Sequence, residues 1–237
     1  MLNINCDLGE GLNNEHLIMP MINSCNIASG GHAGNTESMI QCVEISIRCN
    51  VKIGAHPSYP DRLNFGRKKM DISKPELSYS IISQIESLES IANSYGKKIN
   101  HIKAHGALYN EMIHDLELSE LYLDTLKDYK SKYSLYVPYK SKIENLALQR
   151  GFDIIYEVFG DRNYNEDLSL VSRQNENAMI NDPKEVINHL TSIINSNAVK
   201  TITGDTREII FDTICIHSDT NNSIEILKEI NRVFKNR

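Results

Sequence analysis

Short β-type segments alternate with longer helical patterns about seven times along this 237-residue chain, and no other feature constrains its fold as much. The β-type segments are 2–6, 25–28, 51–55, 99–103, 134–137, 154–159 and 213–216, several of them near-continuous apolar runs. Such runs suit parallel strands covered on both faces by helices. Right-handed crossovers between the strands follow from that order. Two α/β architectures satisfy it, an open doubly wound sheet and a closed (β/α) barrel, and periodicity alone does not separate them.

The helices carry their own signals. Residues 74–95 place Leu77, Ile81, Ile82, Ile85, Leu88, Ile91 and Ala92 on one stripe. Ser73 and Glu76 have capping-box spacing, and Gly96 stands where the chain must leave the helix left-handed. Asp182-Pro183-Lys184-Glu185 combines a cap, a first-turn proline and an acidic residue near the positive dipole end. Val186, Leu190, Ile193 and Ile194 follow on its buried face. A helix over 36–49 uses Met39, Ile40, Val43 and Ile47. A last helix over 221–235 uses Ile224, Leu227, Ile230 and Phe234, with Arg232 and Lys235 in its final turns. A hairpin is expected over 201–210, turning at Gly204-Asp205. Residues 160–182 read as a polar loop long enough to be a lid.

Composition narrows the class. With 25 basic against 31 acidic residues the net charge is −6, which argues against a dedicated nucleic-acid binder. No run reaches the ~18 apolar residues of a membrane span, and the first residues show no secretory segment. Cys6, Cys25, Cys42, Cys49 and Cys215 are odd in number and lack Cys-x-x-Cys spacing, as free thiols in a reducing cytosol would be. The expectation is one cytoplasmic domain over 1–237 acting on a small molecule, with no nucleic acid and no membrane. A homo-oligomer stays open.

The polar residues cluster at strand ends. Asp7 is followed by Gly9-Glu10-Gly11, and the second segment runs into Ser29-Gly30-Gly31-His32-Ala33-Gly34-Asn35. His56-Pro57, Lys103-Ala104-His105-Gly106, Glu157 with Asp161 and Arg162, and His217-Ser218-Asp219 end four more. In a parallel barrel or sheet these ends share one face, where such folds place their sites. Asp7 suits a base, a cation ligand or a turn cap. His32, His56, His105 and His217 supply nitrogens near neutral pKa. Asp7, His32, His56 and His105 are candidate ligands for a divalent metal, or members of a metal-free acid–base set. Lys103 and His105, two apart on a strand, can enter one pocket. Gly30, Gly31 and Gly34 allow N–H groups to approach an anion, or simply form a tight turn. Asp61, Arg62 and Arg67 on one loop, and Arg162 and Arg173 on another, are candidates for carboxylate or phosphate recognition. His16, His101, His114 and His189 read as surface or packing residues on loops or helices. No Gly-x-x-x-x-Gly-Lys phosphate loop and no Gly-x-Ser-x-Gly elbow is present.

At these residues the chain resembles the LamB/YcsF family, the A-type (PxpA) proteins of the bacterial 5-oxoprolinases. The resemblance lies in Ile4-Asn5-Cys6-Asp7-Leu8-Gly9-Glu10-Gly11, Asn26-Ile27-Ala28-Ser29-Gly30-Gly31-His32-Ala33-Gly34-Asn35 and Ile53-Gly54-Ala55-His56-Pro57-Ser58-Tyr59-Pro60-Asp61. It continues in Phe65-Gly66-Arg67, His101-Ile102-Lys103-Ala104-His105-Gly106-Ala107-Leu108-Tyr109-Asn110, Glu157-Val158-Phe159-Gly160-Asp161-Arg162-Asn163-Tyr164 and Asp212-Thr213-Ile214-Cys215-Ile216-His217-Ser218-Asp219. Ser29, Gly31, Asn35, Ala104 and Ser218 depart from the family's usual residues. The resemblance implies a distorted seven-stranded (β/α) barrel, like the glycoside hydrolase/deacetylase superfamily. It also implies ATP-dependent opening of 5-oxo-L-proline to L-glutamate, with 5-oxoprolinase subunits B and C as partners. Asp7 or a strand-end histidine (His32, His56, His105 or His217) would then activate water, and Lys103 would stabilise negative charge. Glu10, Gly30, Gly31, Asn35, Arg62, Arg67, Tyr109, Glu157, Arg162 and Asp219 would contact substrate or nucleotide. The alternatives are a metal-dependent amide or carbohydrate deacetylase and a non-catalytic regulatory subunit.

Overall fold

The computed structural model describes residues 2–234. The barrel strands begin with β1 (Ile4–Leu8), β2 (Ser24–Ala28), β3 (Lys52–His56), β4 (His101–Ile102), β5 (Ser134–Pro138) and β6 (Ile154–Phe159). A separate antiparallel hairpin, β7 (Ala198–Lys200) and β8 (Thr206–Glu208), precedes the last barrel strand, β9 (Thr213–Cys215). The seven barrel strands are all parallel and close in chain order, β9 pairing with both β6 and β1. Of the two architectures open to the sequence, the structure is therefore the barrel. Its distortion sits at β4, only two residues long. The ladder there is extended by Lys103 N–H to Ala55 O at 2.9 Å and His105 N–H to Pro57 O at 2.9 Å.

The flanking helices are α1 (Glu15–Ile18), α2 (Thr36–Cys49), α3 (Lys74–Ser94), α4 (Gly106–Glu111), α5 (Leu116–Thr125), α6 (Lys142–Gln149), α7 (Pro183–Ser196) and α8 (Ser223–Phe234). The expected caps form: Ser73 with Glu76 on α3, and Asp182 accepting from the N–H groups of Lys184 and Glu185 on α7. Gly96 leaves α3 at φ +67. On α2, Cys42 and Ser46 are buried, while Ile40 and Ile47 are only partly covered. On α8, Ile226 is buried with Leu227, Ile230 and Phe234, and Ile224 is half-buried. Lys235 lies outside the described residues. No helix among the described residues is long and apolar enough to cross a membrane.

The structure corrects two expectations. First, β1 runs two residues further than expected, so Asp7 lies within the strand, and His56 likewise closes β3 from inside it. Second, the barrel interior is polar where the segments read as apolar runs. Asn26 Nδ2 donates to Asn5 Oδ1 at 2.8 Å and to Asp7 Oδ1 at 2.7 Å, and Asn5 Nδ2 donates to Thr213 Oγ1 at 3.0 Å. His101 is on β4 rather than on a loop or helix. Its Nε2 donates to Asn26 Oδ1 at 2.7 Å, and its ring stacks on Tyr136 at 4.1 Å. Tyr136 Oη in turn meets Ser24 Oγ at 3.1 Å. These residues occupy alternate strand positions, so one face of each strand is polar and the other packs on the helices. Each of these side chains finds a partner, which is the condition for such a core to be tolerated.

Gly54 makes room for this arrangement. A Cβ there would lie 2.1 Å from His101 Nε2. Gly54→Ala is expected to cost about 2–3 kcal/mol through overpacking, read as a lower urea midpoint with an unchanged slope.

The loop over 160–182 is packed rather than open. Arg162 pairs with Met179 and Tyr164 with Leu170 as isolated bridges, and Val171 and Ala178 are fully buried.

Candidate active site

The C-terminal ends of the strands surround a cleft of about 730 Å³. Asp7, His56, Lys103, His105 and His217 line it, together with Glu10. Its centre is a buried ammonium group. Lys103 is 2% exposed, and its Nζ lies 2.9 Å from Asp7 Oδ1 and 2.9 Å from Glu157 Oε1. Nζ also meets Cys215 Sγ at 3.2 Å. Burial alone would lower the lysine pKa, but Asp7, Cys215 and Glu157 hold it well above its ordinary value. Burial pushes the Asp7 carboxyl up, yet His56 and Lys103 outweigh it and keep the group ionised. For Glu157 burial prevails over Lys103, and its carboxyl is raised. The two carboxylates therefore differ: Asp7 is a stable anion and Glu157 the more easily protonated partner.

Beside this array stand three imidazoles and a further carboxyl group. His56 Nε2 lies 3.4 Å from Asp7 Oδ2 and 3.0 Å from His105 Nδ1. His32 is buried behind them, stacked on His105 at 3.5 Å, with Nε2 2.9 Å from Glu10 Oε1. Glu10 is pushed up to about 7, by burial first and the Asp7 charge second. Burial holds both His32 and His105 well below the usual histidine range.

His217 approaches from the β9 side. Its Nδ1 lies 3.0 Å from both oxygens of Asp161, and its backbone N–H donates to Asp161 Oδ2 at 2.8 Å. Donation from Nδ1 leaves Nε2 as the free nitrogen of the neutral ring. Asp161 reads in the sequence as a polar residue at the end of segment 154–159 with no role of its own. Burial would raise its carboxyl, but His217 and Thr220 bring it down to about 2, below the ordinary 3.8. Its contribution to stability is therefore full above pH 3.8 and is lost as pH falls through about 2. Asp161→Asn is expected to flatten the acid-unfolding curve across that window, measured by circular dichroism. An unchanged curve would show that the Asp161 carboxylate does not hold the fold.

The remaining candidates divide. Tyr109 lines the cleft, its hydroxyl pKa raised by burial and then by Glu157. Arg67 and Arg173 reach the mouth from opposite loops and both pair with Asp219. Arg162 lines the cleft, but its guanidinium donates to Ala178 O at 3.3 Å and Val171 O at 2.6 Å, holding the 160–182 loop. Gly30, Gly31, Asn35 and Arg62 do not line the cleft. Gly30 N–H donates to Ala33 O at 2.8 Å, and Arg62 ties down the same turn through Gly34 O. Asn35 caps α2. Gly31 is there for packing, since a Cβ would lie 2.3 Å from Ser58 Oγ. Ser218 serves the frame, its hydroxyl donating to Asp7 O at 2.7 Å. Sequence reasoning also missed Cys215 and Asn26, which position Lys103 and Asp7; their signal was the two-residue spacing within each strand.

The fold and site define a (β/α)-barrel protein with a charged cleft at the C-terminal ends of its strands. The chain belongs to the LamB/YcsF family, whose model matches residues 2–237. The A subunit of 5-oxoprolinase from Acinetobacter baumannii is 37% identical over 230 residues, covering 95% of this chain and 91% of that one. The A subunit of 5-oxoprolinase from Pyrococcus abyssi is 35% identical over 241 residues, covering 99% and 94%. Among solved structures, a lactam utilization protein from Thermus thermophilus superposes with a TM-score of 0.89 at 26% identity, covering 98% of this chain and 97% of that one.

Proposed function

We propose that this chain is the A subunit of an ATP-dependent 5-oxoprolinase. It would open 5-oxo-L-proline to L-glutamate in the cytoplasm, together with subunits B and C. Full-length similarity to proteins named as the A subunit of 5-oxoprolinase supports the reading. The observation that carries it is the buried Asp7–Lys103–Glu157 array, whose Asp7 and Lys103 line the cleft. Opening a lactam requires water to attack the carbonyl carbon, the C–N bond to break and a proton to reach the departing nitrogen. Asp7, held ionised, accepts the proton from water. Lys103 faces the negative charge that develops on the carbonyl oxygen. Glu157, buried outside the cleft lining, is the second counter-charge of Lys103, and the proton that Asp7 takes from water is the one passed on to the departing nitrogen. Arg67, Lys68 and Arg173 at the mouth supply positive charge for the substrate carboxylate and for ATP. An unstrained five-membered lactam resists hydrolysis, which is why coupling to ATP is required.

The test is glutamate and ADP formation from 5-oxoproline, with this chain alone and with subunits B and C of the same source. Activity only in the full mixture is expected. Silence in every mixture with folded partners would contradict the reading. Acetate release from an N-acetylated sugar by this chain alone would favour the deacetylase instead.

A further inference from the structure

We propose that Glu10, His32, His56 and His105 form a binding site for one divalent transition-metal ion, with zinc as its probe. Proton positions determine which nitrogens are free to bind it. A carbonyl oxygen only accepts, so His56 donates Nδ1–H to Lys103 O at 2.8 Å, and His105 donates Nε2–H to Phe65 O at 3.0 Å. In the neutral rings the opposite nitrogens, His56 Nε2 and His105 Nδ1, then carry lone pairs. These nitrogens face each other at 3.0 Å. Two lone pairs at that distance repel unless a proton or a metal ion lies between or beside them.

Glu10 Oε1 points to the same place. It lies 2.9 Å from His32 Nε2, 3.5 Å from His105 Nδ1 and 3.9 Å from His56 Nε2. One ligand atom from each of the four residues falls within 4.8 Å of all the others. A tetrahedral ion with bonds of about 2.0–2.1 Å places neighbouring ligand atoms about 3.3 Å apart. The contacts above lie on both sides of that spacing, so small side-chain shifts complete the site.

The surroundings fit the same use. The outer nitrogens of His56 and His105 are anchored on backbone carbonyls, the arrangement that orients metal-bound histidines. His32 is fixed differently, by parallel stacking on His105 with a 1° angle between the rings. Three imidazoles with one carboxylate favour zinc and similar ions over magnesium or calcium, which prefer oxygen ligands. Asp7 stood in this set on the sequence reading, but its Oδ1 is taken by Asn26 and Lys103, and Glu10 is the carboxylate that meets the imidazoles. Glu10, His56 and His105 also line the cleft, so a bound ion is reachable from it.

The site is independent of the reaction proposed above, and its test does not use activity. The chain is stripped with chelator, reloaded with zinc alone and read by calorimetry, elemental analysis and melting temperature. One zinc per chain is expected, with a rise in melting temperature. Glu10→Gln and His105→Ala should each weaken binding about 100-fold or more by removing a direct ligand. His16→Ala, an exposed histidine away from the cleft, should bind as the wild type does. Should His105→Ala fail to fold, the near-isosteric Glu10→Gln decides. Absence of a stoichiometric zinc in the stripped and reloaded wild type would overturn the proposal, as would wild-type affinity in Glu10→Gln. A proton shared between His56 and His105 would then be what separates their lone pairs.

Discussion

Lys103→Met is expected to destabilise the chain by about 3–5 kcal/mol, the cost of removing one partner from a buried ion array. Methionine nearly preserves the length and volume of the side chain, so the loss reports charge rather than a cavity. Two carboxyl groups, Asp7 and Glu157, would be left buried without the ammonium that lies 2.9 Å from each. Their folded pKa values would then rise above the unfolded ones. The variant's penalty is therefore smallest at low pH, where the groups protonate, and grows as pH rises through those raised values. Urea unfolding at pH 5 and pH 8 measures this. The wild-type midpoint at both pH values would show that the array does not hold the barrel as described. Turnover in the reconstituted mixture should be lost as well, including at pH 5, where the fold is best preserved.

Asp7→Asn separates chemistry from folding. Asparagine keeps an oxygen for Asn26 Nδ2 and Lys103 Nζ, and Lys103 retains Glu157 as its counter-charge. The stability change should be about 1.5–3 kcal/mol, the worth of a hydrogen bond to a charged group, and so smaller than for Lys103→Met. The carboxylate that would accept a proton from water is gone, so the rate should fall about 10²–10⁴-fold. The urea midpoint and the steady-state rate, measured on the same preparation, read the two effects separately.

The elements of the fold were far more legible in the sequence than their closure. Helix caps are local chemistry, so Ser73 with Glu76 and Asp182 before Pro183 could be read directly and do form. Closure depends on β1 meeting β9, with Asn5 opposite Cys215, and no local pattern encodes a pairing across that distance. The polar interior was hidden for a different reason. Asn5 and Asp7, Ser24 and Asn26, and His101 and Lys103 are each two apart, but their apolar neighbours made the segments look uniformly buried. Two-residue alternation was the available signal, and it is what places His101 inside the barrel. At the site, strand-end residues gathered where parallel topology puts them, Asp7, His56, Lys103, His105 and His217 among them. The glycine turn at 30–34 misled because a tight strand-to-helix turn and an anion cradle share one composition. Gly31 packs on Ser58 and Gln84, and Asn35 spends its side chain on the α2 cap. Asp161 was visible at a strand end, but its role required His217, which lies 56 positions away in sequence.

The most direct test of the central claim, that lactam opening depends on this chain's own cleft, exchanges one component of the reconstituted mixture. Subunits B and C are held constant, wild-type chain is replaced by Asp7→Asn, and glutamate formed from 5-oxoproline is measured beside assembly by gel filtration. The expected result is an intact assembly whose glutamate production falls at least about 100-fold. An intact assembly with an unchanged rate would contradict the claim and place the chemistry in B or C.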